Sequence, residues 1–420
     1  MTRHADPASV FAAVAASRER CFWLDGGGAR EWSGRRSLVG WLDADDVSIT
    51  YDAATRQVVR HQSGRAEVVG DDVFDVLARE VPSGGQWFGY LGYACRPDLP
   101  AHTGSPVPDA VWMRARHVRV FEHPAGSRPR GAATPVDPLI DREAYAAAFA
   151  RVQDHLHAGN SYEVNLTYRV AAECGDSPLD VYLRLRELNP APYAGFLQHD
   201  VPGARAWLLS SSPERYATIA DGILETKPIK GTTPRGATPA EDEEQRLLLS
   251  STPKFRAENL MIVDLLRNDL AMVCEPGTVE VPALMAVESY ETVHQLVSTI
   301  RGRLRDDVST VRALQALFPA GSMTGAPKLR TMRIIEEVET TPRGAYAGAF
   351  GWLAADGRAD LGVIIRSLVT AGDGHWTLGT GGGITVESDV DDELAESTVK
   401  AARLLAALMV TAGSWRAPTR

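Results

Sequence analysis

The sequence predicts a mixed α+β fold in which long β-strands and helices build a layered body. The chain has 420 residues, of which 44% are hydrophobic and 23% are charged, so it has ample material for a buried core. Its strand and helix patterns do not alternate strictly, as a parallel βαβ protein would require. The sequence contains neither an internal repeat nor a low-complexity tract. These observations exclude a disordered chain, a collagen and a coiled coil.

Net charge and cysteine usage narrow the functional class. The chain has 44 basic and 54 acidic residues, a net charge of −10, and no strongly basic segment, so we expect no nucleic-acid partner. The four cysteines are far apart and form no Cys-x-x-Cys pair, which excludes a zinc ribbon and favours a reducing compartment. The N-terminal apolar stretch is too short for a secretion signal, and no run reaches the about 18 apolar residues of a membrane span. We therefore expect a cytoplasmic protein that does not enter a membrane.

Local patterns predict the order of the elements. The first 120 residues favour short strands and turns, and the Pro- and Gly-rich segment 123–138 is predicted to be an exposed linker between an N-terminal region, 1–140, and a core, 141–420. In the core, apolar periodicity and capping residues predict helices at 141–159, 178–188, 240–250, 254–271, 308–317, 327–339 and 390–411. The clearest strands are predicted at 162–167, 344–353, 361–369 and 376–380.

Two of the predicted helices carry carboxylates in unusual places. Glu258 falls within the apolar stripe of helix 254–271, where a carboxylate is costly unless a cation or hydrogen bonds meet it. A salt bridge to a buried arginine would meet this need, and so would a hard cation such as Mg²⁺. On helix 390–411, Glu393, Glu396 and Lys400 share one face. A shared cation would explain the two glutamates, although a solvated charged face is the simpler interpretation.

Other segments offer anion-binding groups. Consecutive glycines within 379–385 let backbone N–H groups close around an anion, although a hairpin turn is the safer interpretation of that run alone. Ser322 and Thr324 lie in a turn before helix 327–339, whose N-terminus is suited to anions. Arg366 interrupts the apolar strand predicted at 361–369. An arginine there forms either a buried ion pair or a clamp for a carboxylate.

A lysine and a glutamate could supply a nucleophile and an acid. Lys230 lies at a predicted strand end beside glycine and proline, where a partly dry lysine can lose its proton and act as a nucleophile. Only five of the 44 basic residues are lysines, and all five lie beyond position 225. Glu214 lies sixteen residues before Lys230 and could serve as an acid. Each of these features taken alone can also be structural.

Eight motifs in order carry a resemblance to a known family. They are SSPERY, KPIKGTTPRG, RAENLMIVDLLRND, HQLVST, GSMTGAPK, IIRS, GTGGGIT and DELAESTVKA. In this order they resemble the chorismate-binding enzyme family over about residues 141–420, with a weaker likeness at 87–93. The resemblance implies the fold of anthranilate synthase component I, which is a two-layered β-sandwich body with surrounding helices and a site between the β layers.

The resemblance also implies roles for individual positions. Glu258 and Glu396 would bind Mg²⁺, with Glu393 next to them, and the ion would hold the ring carboxylate of chorismate. Lys230 and Glu214 would carry out the chemistry. The residues placed against the substrate are Gly231, Thr232, Ser322, Thr324, Trp352, Arg366, Gly381, Gly382 and Gly383.

Two positions select the reaction within the family. A lysine at 230 resembles aminodeoxychorismate synthase component I, since anthranilate and isochorismate synthases usually have alanine there. Glu163 stands where the members that use water carry a lysine, so isochorismate or salicylate formation is not expected. The resemblance then implies that Lys230 attacks C2 of chorismate while Glu214 protonates the departing C4 hydroxyl. Ammonia would enter at C4 and expel the lysine to give 4-amino-4-deoxychorismate, and we expect a depressed Lys230 pKa for the attack.

Partners and alternatives follow from the same resemblance. It implies a separate glutamine amidotransferase subunit that supplies ammonia, and a product that leads to 4-aminobenzoate and so to folate or a secondary metabolite. Phe255, Gln295 and Trp352 stand where relatives usually have an acidic residue, a histidine and a tyrosine. An anthranilate synthase component I, or a catalytically silent subunit that binds chorismate, therefore remains an alternative.

Overall fold

Two antiparallel sheets and a set of helices form the fold. A computed structural model describes residues 6–26, 36–123, 139–290, 293–409 and 415–416. The predicted linker therefore lies outside the described residues, apart from His123. The predicted α+β class is confirmed. No helix in the described ranges combines the length and the apolarity needed to cross a bilayer.

Within the described residues, the first sheet has ten strands. They are β1 Arg20–Asp25, β2 Arg36–Trp41, β8 His117–Glu122, β9 Glu163–Glu173, β10 Tyr193–His199, β11 Ala206–Ser212, β17 Gly325–Ala326, β20 Ser367–Thr370, β21 His375–Ile384 and β22 Trp415–Arg416. Their order is β17-β9-β21-β20-β11-β10-β1-β2-β8, with β22 paired to β9.

The second sheet has twelve strands in the part of the chain that the structure describes. They are β3 Ser48–Asp52, β4 Gln57–Gln62, β5 Arg65–Gly70, β6 Gln86–Leu91, β7 Ala110–Ala115, β12 Arg215–Ala220, β13 Ile223–Lys227, β14 Ile229–Pro234, β15 Glu280–Ser289, β16 Val293–Arg303, β18 Ala349–Ala354 and β19 Ala359–Val363. Their order is β14-β16-β13-β12-β19-β18-β6-β7-β3-β4-β5, with β15 paired to β16. The regions 1–140 and 141–420 thus contribute strands to both sheets.

The helices surround the two sheets. They are α1 Pro7–Ala15, α2 Val73–Glu80, α3 Arg142–His157, α4 Pro178–Leu188, α5 Pro239–Ser251, α6 Pro253–Ala271, α7 Thr310–Leu317, α8 Lys328–Val338 and α9 Val390–Ala407. The seven helices predicted in the core are confirmed, although α9 ends at Ala407 rather than 411. Helices α1 and α2, which are short, lie in the region where the sequence predicts only strands and turns. The carboxylate of Asp72 begins α2 by accepting the N–H groups of Phe74 and Asp75.

The two sheets pack face to face through buried aromatic and aliphatic side chains. Phe22 of the first sheet stacks on Phe88 of the second, with ring centroids 3.9 Å apart. Leu208 and Phe350 belong to the same buried cluster. Such burial stabilises the fold by about 1.5 to 3 kcal/mol for each large apolar side chain.

One predicted strand is broken in the structure. The sequence analysis predicts a single strand over 361–369, but β19 ends at Val363 in the second sheet and β20 begins at Ser367 in the first. The chain crosses between the sheets at 364–366, and Arg366 has a φ of 51°. The strand predicted at 344–353 likewise begins only at Ala349, so residues 344–348 form a turn. Both differences place side chains at the junction of the sheets.

Candidate active site

A cavity of about 460 Å³ lies where the two sheets meet α6 and α9. Strand β14 of the second sheet and strand β21 of the first both line it, together with the crossing segment at Ile365 and Arg366. All but two of the predicted site residues lie on its wall. They are Glu214, Lys230, Gly231, Thr232, Glu258, Ser322, Arg366, Gly381, Gly382, Gly383, Glu393 and Glu396.

The two exceptions are Trp352 and Thr324, and their predicted contacts with a ligand in this cavity need correction. Trp352 lies in β18 and packs against the apolar core between the sheets. Thr324 is fully buried, and its hydroxyl donates to the carbonyl of Gly321 at 3.2 Å. Phe255 and Tyr346 are aromatic residues on the cavity wall, and Tyr346 is not among the predicted site residues.

Lys230 forms an ion pair beneath the cavity. Its ammonium donates to Oε1 of Glu163 in β9, a side chain that is only 1% exposed. Burial acts to lower the Lys230 pKa, but the charges of Glu163 and Glu258 outweigh it, so the pKa lies above its ordinary value. The predicted depression of this pKa is therefore wrong for the unliganded protein. Gly383 leaves the space for the pair, since a Cβ there would lie 2.0 Å from Oε1 of Glu163.

Glu214 is a carboxyl that holds its proton near neutral pH. It is 7% exposed, and burial raises its pKa to about 7. The hydroxyl of Ser322 donates to Oε1 of Glu214 at 2.6 Å, which favours the charged form and limits the rise. A group with this pKa can donate a proton at neutral pH and can accept one back.

The glycine run is the interior of a strand, so the hairpin-turn interpretation is wrong. In β21, Gly381 pairs with Thr167 of β9, and a Cβ on Gly381 would lie 2.2 Å from the carbonyl oxygen of Leu166. The carbonyl of Gly381 accepts from Nζ of Lys400 at 2.9 Å. Glycine is required there by the close approach of β9, and it also leaves the backbone of β21 bare toward the cavity.

Three carboxylates reach the cavity from two helices. Glu258 of α6 forms no ion pair with a described residue, and burial raises its pKa to about 7. The buried arginine considered as its partner is thus not found in the described ranges. Glu393 accepts from Lys254 at 3.2 Å, and Glu396 pairs with Lys400 at 2.8 Å. In the described part of the chain, no three acidic, histidine or cysteine side chains are grouped so that they could hold a metal ion together.

Arg366 projects into the cavity from the crossing segment without an acidic partner. Its guanidinium forms no ion pair within the described ranges, and burial lowers its pKa. Of the two interpretations from the sequence, the buried ion pair is therefore not observed. An unpaired guanidinium beside bare backbone can hold a carboxylate. The cavity thus combines an anion-binding wall with an amine and an acid.

Comparisons with known proteins agree with this arrangement. The sequence matches the family described as chorismate binding enzyme over residues 122–406. It is 40% identical to the aminodeoxychorismate synthase of Streptomyces pristinaespiralis, over 96% of this chain and 64% of that protein. It is 34% identical to anthranilate synthase component 1 of Streptomyces coelicolor, over 87% of this chain and 83% of that protein.

The fold has a solved counterpart. The crystal structure of anthranilate synthase component I from Streptococcus pneumoniae superimposes with a TM-score of 0.73 at 28% identity, over 88% of this chain and 92% of that chain. The chain spans less than two thirds of the length of the Streptomyces aminodeoxychorismate synthases that it matches. Because the family match covers well over half of the 420 residues, the protein belongs to the chorismate binding enzyme family.

Proposed function

We propose that the protein is the synthase component of an aminodeoxychorismate synthase, which converts chorismate and ammonia into 4-amino-4-deoxychorismate. The observation that carries the proposal is that Lys230 and Glu214, whose pKa burial raises to about 7, line one cavity. The identity of 40% to the Streptomyces pristinaespiralis enzyme and of 44% to aminodeoxychorismate synthase component 1 of Klebsiella aerogenes supports the same reaction.

Chorismate carries two carboxylates, and the cavity offers a place for each. Arg366 and the bare backbone of residues 381–383 would bind the enolpyruvyl carboxylate. Gly231 and Thr232 would flank the ring. The ring carboxylate would face Glu258, Glu393 and Glu396, which repel it unless a cation lies between them.

Two of the acidic residues would supply oxygen ligands to a bound Mg²⁺. Glu258 is a cavity carboxylate without an ion-pair partner among the described residues, and oxygen ligands of this kind suit a hard cation. Glu258 and Glu396 would hold the ion, with Glu393 beside them. When bound, Mg²⁺ would neutralise the ring carboxylate and fix the ring.

The protein's own residues would move the protons of the reaction. Glu163 takes the proton of the Lys230 ammonium, and Nζ then bonds to C2 of chorismate. Both conjugated ring double bonds shift, the C4–O bond breaks, and Glu214 protonates the departing hydroxyl to give water. Ammonia next bonds to C4, both double bonds shift back, and the C2–N bond breaks. The leaving lysine amine recovers its proton from Glu163, and the new C4 ammonium returns a proton to Glu214.

The ammonia would come from a separate glutamine amidotransferase subunit, and the name component 1 of the Klebsiella aerogenes relative implies that it has a second component. The product would lead to 4-aminobenzoate and onward to folate or a secondary metabolite. The likeness to anthranilate synthases supports a second candidate, in which the enolpyruvyl group is lost. Phe255 and Gln295 both lie on the cavity wall, so a silent chorismate-binding subunit is a third outcome to test.

The test is incubation with chorismate, Mg²⁺ and ammonium chloride, followed by a lyase that converts 4-amino-4-deoxychorismate to 4-aminobenzoate. We expect 4-aminobenzoate after the lyase and no anthranilate fluorescence before it. Anthranilate would instead identify the second candidate. Binding of chorismate without turnover would identify the silent subunit. Mass spectrometry after incubation without ammonia should detect a covalent adduct on the peptide that contains Lys230.

A further inference from the structure

A second cavity, of about 520 Å³, adjoins the candidate active site and has no role in the proposed reaction. It is formed by the segments 103–106 and 340–346 and by residues of β9, β20 and β21. Its apolar wall includes Ile364, Val369 and Leu378. Its size lies in the range of sites for small organic ligands.

A buried charge cluster stands at this cavity. Arg169 and Arg343 line the cavity, are 6% and 5% exposed, and both pair with Glu339, at 3.2 and 2.6 Å. Within the described part of the chain, no second carboxylate pairs with either guanidinium. Two buried positive charges therefore share one negative charge. An uncompensated buried charge is unfavourable, so the cluster favours the addition of one anion.

Arg169 is the member of the cluster that has hydrogen-bond donors to spare. Its Nη2 donates to Thr167 and Glu339, whereas Nε and Nη1 have no partner among the described residues. Arg343 donates through all three of its nitrogens, to Glu339 and to two main-chain carbonyls. The guanidinium of Arg169 lies over the ring of Tyr346, 4.9 Å from its centroid. Both nitrogens are buried, so an incoming carboxylate would pair with Arg169 once the guanidinium turns toward the cavity.

We propose that this second cavity is an effector site for a small aromatic monocarboxylate. Its carboxylate pairs with Arg169, and its ring packs on Tyr346, Val369 and Leu378. One carboxylate matches the one uncompensated charge of the cluster. A ligand with a second carboxylate would leave that group unpaired against the apolar wall, which is costly.

Direct contacts connect the second cavity to the active site. Arg343 donates to the carbonyls of Met323 and Asn165, at 2.7 and 2.9 Å. The Asn165 amide donates to the carbonyl of Ser322 at 2.8 Å, and the Ser322 hydroxyl holds Glu214. Tyr346 and Gly379 also belong to the walls of both cavities. We therefore expect that a ligand in the second cavity changes the affinity for chorismate, and that chorismate changes the affinity for that ligand by the same factor.

The binding test uses benzoate as the probe and an Arg366→Gln protein, in which the proposed carboxylate clamp of the active site is removed. Calorimetry should show one benzoate per chain. Adding Arg169→Gln removes a charge-assisted pair and should weaken binding by about tenfold or more. Val369→Trp fills the cavity without touching the cluster and should have the same effect. Benzamide, which has the same shape and no charge, should bind at least about tenfold more weakly than benzoate.

Benzoate binding that survives both added substitutions, or an Arg366→Gln protein that does not bind benzoate, would overturn the proposal. The coupling test measures chorismate affinity of the otherwise unchanged protein with and without benzoate, and only this second measurement rests on the proposed function. We expect a change of about fivefold or more that disappears in Val369→Trp. A change that persists in Val369→Trp is competition at the active site and refutes the coupling. If chorismate does not bind at all, the proposed function fails while the benzoate result still decides the second site.

Discussion

Protonation of Glu214 should control the first half of the proposed reaction above neutral pH. The carboxyl can protonate the departing hydroxyl only in its neutral form, and burial raises its pKa to about 7. The competent fraction therefore falls about tenfold for each pH unit above that value, to about one hundredth at pH 9. Lys230 would not oppose this trend within the range, because its proton would pass to Glu163 and its raised pKa limits loss of that proton to water.

One hydrogen bond in the structure limits the rise of the Glu214 pKa. The Ser322 hydroxyl donates to Glu214 at 2.6 Å and favours its charged form. A hydrogen bond to a charged group contributes about 1.5 to 3 kcal/mol, and 1.36 kcal/mol corresponds to one pKa unit. Ser322→Ala should therefore raise the Glu214 pKa by about 1 to 2 units. The alkaline fall in rate should shift to higher pH by the same amount.

The assay is the rate of covalent adduct formation in single-turnover, rapid-quench experiments without ammonia, from pH 6 to pH 9.5. Omission of ammonia matters because ammonium itself loses its proton within this range. Glu214→Gln should lower the rate by about 10²- to 10⁴-fold and leave no alkaline fall. A wild-type rate that is flat from pH 7 to pH 9, or an unshifted profile in Ser322→Ala, would refute the assignment of Glu214 as the acid. Trp352→Phe is the control, since that side chain lies outside the cavity and should leave the profile unchanged.

Three further predictions address the nucleophile, the cation and the buried cluster. Lys230→Ala should abolish the covalent adduct and lower turnover at least about 10³-fold. Lys230→Arg should not restore turnover, because a guanidinium stays protonated. An adduct detected by mass spectrometry in either variant would contradict the covalent step. Glu258→Gln should raise the Mg²⁺ concentration needed for half-maximal activity by about tenfold or more. The circular dichroism spectrum should stay unchanged. An unaltered Mg²⁺ titration would show that Glu258 does not bind the ion. Glu339→Gln leaves two buried guanidinium groups without a carboxylate and should lower the free energy of unfolding in urea by about 3 to 5 kcal/mol. The control is Glu337→Gln, which removes an exposed ion pair and should change the free energy of unfolding by less than about 1 kcal/mol.

The site residues on helices could be predicted from the sequence, because helical periodicity fixes which residues share a face. Glu258 on α6 and Glu393 and Glu396 on α9 were therefore predictable from spacing, and all three line the cavity. The same reasoning could not tell which elements pack together. The ion pair between Lys230 and Glu163 joins residues 67 positions apart on different sheets. Nothing in the local pattern of either strand indicates that contact.

The expected substrate contact of Trp352 came from the resemblance and not from a local pattern. A run of apolar residues and glycines at 344–353 resembles one strand, but pairing with neighbours begins only at Ala349. Trp352 lies within that strand and packs against the core between the sheets, whereas Tyr346 lies in the preceding turn, on the walls of both cavities. Likewise, the left-handed backbone of Arg366 has no signal in its apolar neighbours, because arginine rarely adopts a positive φ.

The Lys230 pair resolves an apparent conflict between binding and attack. A lysine with a raised pKa is a poor nucleophile, yet its positive charge beside Glu163 keeps both groups stable in a buried place. Arg366 and the ion site would neutralise the two carboxylates of bound chorismate, so the net charge around the Lys230–Glu163 pair would change little. In the proposed reaction, transfer of one proton from Lys230 to Glu163 would remove two opposite buried charges at once and would leave a neutral amine against C2. Because no charge separates in this transfer, its cost in a dry cavity is small compared with loss of the proton to water. The ion pair would therefore be the resting state, from which the nucleophile forms once chorismate covers Lys230.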